Sequence, residues 1–164
     1  MSNKKRAVVI VMMLIMVVVV AAPVLAQDAP ADNMQIVLEK VRADKKLLVA
    51  ENMQLTEAEA KAFWPVYERY QDELFLLRMR SLKLIKDYAD SYEKMTGDTA
   101  RKLLDEYMTI ETLKLKLRKA YLPKFLKVLS PVKTARYYQI ENKIQAALYY
   151  ELAKDIPLMK TAEK

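Results

Sequence analysis

The chain has 164 residues, with 28 Lys and Arg against 21 Asp and Glu and a formal charge of +7. It contains no Cys and no His, which excludes disulfide bracing, thiol chemistry, His-based nucleophile triads and the usual zinc or copper ligand sets. Its single Gly argues against the tight turns of a sheet protein and against a phosphate-cradling loop.

Lys4, Lys5 and Arg6 open onto residues 7–26, a stretch without charge that ends in Val24-Leu25-Ala26. This is the order of an export signal with a small residue at the cleavage position. Residues 1–26 are therefore expected to be a signal peptide that leaves a mature chain from Gln27 in the periplasm. The alternative is an uncleaved anchor, because 20 apolar residues reach the length needed to cross the hydrocarbon core, about 30 Å. In either case the remainder faces the extracytoplasmic side. Removing the three leading cations lowers 28 Lys and Arg to 25 against 21 Asp and Glu, a mild +4.

Everything after the leader reads as helix. Residues 27–32, with Pro30, are expected to be a flexible mature terminus, and residues 33–50 a first helix. Thr56 and Glu59 form a capping box that starts a long second helix over residues 56–94. Phe63, Tyr67, Tyr70, Leu74, Leu77, Leu84 and Tyr88 give it one packing stripe, and Pro65 inside it is expected to bend it. Gly97 is expected to end this arm in a left-handed turn, with Asp98 capping the next helix.

The third helix carries two adjacent stripes. Leu103, Tyr107, Ile110, Leu113, Leu117 and Tyr121 form one; Leu104, Met108, Leu115, Leu122, Phe125 and Leu129 form the other. That arc is too broad for one helix partner, so a homodimer is expected. Pro123 is expected to bend this helix too. Ser130-Pro131 has the cap-then-proline order of a fourth helix, which ends at Pro157 before a flexible tail over residues 158–164. The fold class is all-α: an elongated four-helix protein with a long, kinked antiparallel hairpin, over residues 33–157.

Leu55-Thr56-Glu57-Ala58-Glu59 and Leu129-Ser130-Pro131-Val132-Lys133 resemble two degenerate copies of the LTxxQ signature of the Spy/CpxP family of small periplasmic helical proteins. Phe63-Trp64-Pro65-Val66-Tyr67 and the segment from Ala135 to Glu141 are also similar to segments of that superfamily. Glu59 and Lys133 stand where the signature has Gln, and Ser130 where it has Thr. The resemblance implies a four-helix hairpin often paired into a curved dimer, acting as an ATP-independent chaperone or an envelope-stress adaptor. The local role of Leu55, Thr56, Glu59, Leu129 and Ser130 is helix capping, since Thr56 and Ser130 have no His to activate them. No catalytic residue, cofactor or metal ligand is assigned.

From Thr112 to Ile140 there are eight Lys or Arg and no Asp or Glu. With the hairpin turning near Gly97, equal rise along both arms places Arg78 and Arg80 level with Lys116 and Lys114. Arg78, Arg80, Lys114 and Arg118 are thus expected to form a solvated basic face beside Leu104, Met108 and Leu115, attracting partly unfolded periplasmic proteins. A sensor ectodomain and an anionic membrane surface are the alternative partners. Nucleic acid is not expected, because the basic run lacks a reading motif.

Overall fold

The computed structural model describes residues 30–161, with side chains from Arg42 onward; the expected leader lies outside the described residues. Four α-helices follow in order: α1 (Pro30–Met53), α2 (Glu57–Ser91), α3 (Gly97–Val128) and α4 (Pro131–Asp155), with a 3₁₀ turn at Tyr92–Lys94 after α2. No strand occurs among the described residues. The fold is all-α, as the 3.6-residue patterning requires. None of these helices is long and apolar enough to cross a membrane.

α1 begins three residues before the expected start, with Pro30 in its first position. There the fixed φ of proline suits the helix and its missing amide would have had no partner. The expected flexible terminus is thus helical from Pro30. α1 gives way to Gln54, whose φ of 50° is left-handed, and α2 starts three residues later, at Glu57. Thr56 accepts from the Glu59 amide at 3.3 Å, while the Glu59 carboxylate accepts from the Thr56 amide at 2.8 Å. Both halves of the capping box are present.

Gly97 departs from expectation. It is the first residue of α3 and has no positive φ; Thr96 is the cap, accepting from the Thr99 amide at 3.2 Å. Asp98 lies within the first turn instead, where its charge complements the helix dipole. An added Cβ at Gly97 meets nothing within 4 Å. Gly97→Ala is therefore expected to stabilise the protein by about 0.5 kcal/mol through a less flexible unfolded chain, read as a rise in the urea midpoint. A fall would mean that the turn needs glycine.

The described residues divide into two compact units, one comprising residues 55–135 and 157–161, the other residues 30–54 and 136–156. In the first, α2 and α3 form an antiparallel hairpin around an aromatic core. Phe63 and Tyr70 from α2 meet Phe125 from α3, each with ring centres 5.8 Å apart, and Tyr70 lies 5.2 Å from Tyr121. The Tyr121 hydroxyl donates to Glu73 Oε1 at 2.6 Å. Burial first, and then the Glu73 carboxylate, push its pKa up to about 12. Pro65 and Pro123 both lie inside continuous helices.

The expected flexible tail is described as far as residue 161, and Pro157 and Lys160 tie this part of the chain to the turn end of the hairpin. The Tyr88 hydroxyl donates to the Pro157 carbonyl at 2.6 Å, Lys160 pairs with Glu93 at 2.6 Å, and the Lys160 ammonium lies 5.3 Å from the Tyr92 ring centre. In the other unit, Lys45 of α1 pairs with Glu141 of α4 at 2.7 Å, both side chains being almost fully buried. Arg136 Nε donates to the Asn52 carbonyl at 2.6 Å, satisfying one of the last carbonyls of α1.

Candidate functional site

The two signature segments come together. Leu129 is buried, and the Ser130 hydroxyl accepts from the Lys133 amide at 3.2 Å, capping α4 as expected. The Lys133 ammonium then reaches Glu59 Oε2 at 2.5 Å, the same oxygen that accepts from the Thr56 amide. The positions where both segments depart from Gln thus carry opposite charges that meet. Read separately, Glu59 and Lys133 were two losses from a motif; their complementary signs were the signal that they touch.

Lys133 first, and then the Thr56 amide, hold the Glu59 carboxyl below its usual range. A carboxylate depressed in the folded state contributes stability above its unfolded value, near 4.5. That contribution is lost as pH falls through the lower folded value. Glu59→Gln is therefore expected to lower stability at pH 6 and to flatten the acid limb below pH ~4.5. Urea midpoints across that range check it, and parallel limbs for the two proteins would contradict it.

The expected basic face is corrected. Lys114 is 5% exposed and its ammonium lies 2.9 Å from Glu111 Oε1, so it belongs to the packed face of α3. Arg80 does not lie level with Lys114; it forks onto Glu106, Nε to Oε1 at 2.5 Å and Nη2 to Oε2 at 2.7 Å. The arms turn earlier than Gly97, at the 3₁₀ residues Tyr92–Lys94, which shifts the register. Arg78 and Arg118 are half-buried. Lys116, Lys119, Lys124 and Lys127 are exposed, so positive charge remains on α3, but on other residues than expected.

The apolar candidates stand out instead. Leu104, Met108 and Leu115 are 51–56% exposed, and Leu122 and Leu126 are 41% and 43% exposed. The second stripe therefore splits: its first four members face outward, while Phe125 and Leu129 turn into the core. At about 100° per residue, Leu104, Met108, Leu115, Leu122 and Leu126 fall within a sector about 40° wide. That sector lies roughly 120° around α3 from the centre of the face carrying Ile110, Leu117, Tyr121 and Phe125. Sequence reasoning missed Leu126, which the step of four from Leu122 marks.

Such a surface can hold another apolar surface reversibly; it has no enclosed volume for a small substrate. The other unit carries a shallow cleft of about 280 Å³, whose lining includes Leu48, Arg136, Ile140 and Lys143. Among the described residues there is no group of three or more His, Cys, Asp or Glu placed to hold a metal ion. Comparison of the chain with protein-family models, with curated proteins and with solved structures returns no match.

Proposed function

We propose that this protein is an exported, ATP-independent chaperone that holds apolar segments of partly unfolded proteins against the exposed stripe of α3. The observation that carries the reading is that stripe: five large apolar side chains on one face, each more than 40% exposed. A contiguous apolar strip of this kind marks an interaction surface. Lys116 and Lys119 on the same helix supply long-range attraction for acidic clients. The basic leader and the resemblance of both capped segments to the Spy/CpxP signature support an envelope role and binding rather than chemistry.

The full chain is expected to suppress aggregation of several chemically distinct unfolded proteins without ATP. Replacing Leu104, Met108 and Leu115 together by serine removes three apolar contacts and is expected to weaken client binding at least about tenfold, with helix content unchanged. Failure to suppress any client at molar excess would overturn the chaperone reading. Capture of one sensor ectodomain without general suppression would replace it with a modulator role.

A further inference from the structure

We propose that the cleft between α1 and α4 binds a small amphiphile, a single short alkyl chain carrying a phosphate-type anionic head. Its lining comes from these two helices alone and shares no residue with the α3 stripe. The site is therefore independent of how clients are held.

The lining is graded from apolar to cationic. At about 100° per residue, Ile140 and Ile144 lie on the side of α4 that turns toward its buried residues Tyr137 and Glu141, and both are half-buried. Leu48 of α1 completes this floor and is 47% exposed, so its apolar surface is open to a ligand. Arg136 and Lys143 make the outer rim. Seven positions apart, they fall within about 20° of one another around α4 and about 10 Å apart along it, and both are exposed. A cleft of about 280 Å³ lets one molecule meet both.

The rim charge is uncompensated. The remaining lining residues, Asn52 and Gln139, are neutral, and among the described residues no carboxylate pairs with Arg136 or Lys143. Arg136 spends Nε on the Asn52 carbonyl at 2.6 Å, which fixes the guanidinium plane and leaves its Nη groups to donate to a ligand. Such a fork suits phosphate oxygens. A phosphate monoester carries close to two negative charges at pH 7, which matches two cations, and the apolar floor takes a chain attached to that head. Sites for drug-sized ligands run from ~300 to 1,000 Å³, so this cleft suits one short chain and excludes the paired chains of a membrane lipid.

Calorimetric titration of the full chain with octyl phosphate, kept below its micelle concentration, tests the site. Octyl phosphate is expected to bind at least about tenfold more tightly than inorganic phosphate, because the chain buries apolar surface. Lys143→Gln is expected to weaken octyl phosphate about tenfold by removing one charged contact. Leu48→Ser is expected to weaken it about fivefold and to leave inorganic phosphate unchanged, while Lys61→Gln, an exposed cation outside the cleft, changes neither. Absence of octyl phosphate binding overturns the proposal, and so does binding that Lys143→Gln and Leu48→Ser both leave at parent strength. Phosphatidylcholine vesicles containing phosphatidic acid are the third probe. Vesicle binding that Lys143→Gln abolishes would assign the cleft to a membrane lipid and overturn the free amphiphile; vesicle binding indifferent to Lys143→Gln, beside octyl phosphate binding that is sensitive to it, sustains the proposal.

Discussion

Phe125→Ala is expected to destabilise the protein by about 3–5 kcal/mol, the range for emptying a large aromatic site in a packed core. Phe125 is fully buried and has three aromatic neighbours, with ring centres at 5.8 Å to Phe63, 5.8 Å to Tyr70 and 6.2 Å to Tyr121. Those neighbours come from both arms of the hairpin. Their rings are held by helix backbones on either side, so the site collapses poorly after truncation and the cavity term adds to the lost transfer free energy. Phe125→Leu retains most of the volume and is expected to cost less than half as much. Urea denaturation followed by far-UV circular dichroism measures both. A cost below about 1 kcal/mol for the alanine variant would mean that this aromatic cluster does not hold the hairpin.

Lys45→Met is expected to cost a similar amount, about 3–5 kcal/mol, by a different mechanism. The Lys45 and Glu141 side chains are 6% and 7% exposed and their charged atoms lie 2.7 Å apart. Removing the ammonium leaves a carboxylate in a place that water hardly reaches. Desolvating an ion without its partner is far more costly than desolvating the pair. The double variant Lys45→Met with Glu141→Leu removes both charges and is expected to recover to within ~1 kcal/mol of the parent. A double-mutant cycle reads the coupling directly. If Glu141→Leu fails to rescue Lys45→Met, the loss arises from packing of the lysine stem and the ion pair is not its cause.

Helix content and helix boundaries were legible wherever the code is local. The stripe through Phe63, Tyr67, Tyr70 and Leu74, the capping box at Thr56 and the Ser130-Pro131 start depend on residues within a turn or two, and each forms as expected. Two local signals were passed over, the Thr96 cap of α3 and the Pro30 start of α1; the other failures depend on partners distant in sequence. Lys114 reads as one member of a basic run, yet its position on α3 turns it inward toward the hairpin; sign alone says nothing about facing. Placing the turn at Gly97 shifted the cross-arm register and paired Arg80 with the wrong residue. Lys160 looked like part of a tail because Glu93 is 67 positions away in the chain. The Glu59–Lys133 contact joins segments 74 positions apart, and only reading the two degenerate motifs against each other reveals it. On the candidate surface, Leu104, Met108 and Leu115 were legible because the second stripe exceeds what one hairpin can cover.

Under the proposed function, clients dock on the α3 stripe. A photoreactive phenylalanine analogue placed singly at Met108, Leu115, Lys102 or Val132 in the full chain, irradiated with a radiolabelled unfolded client, tests it most directly. Strong client adducts are expected from Met108 and Leu115, and background from Lys102, which lies on another face of α3, and from Val132. Equal labelling at all four positions, or adducts confined to Lys102 and Val132, would contradict it.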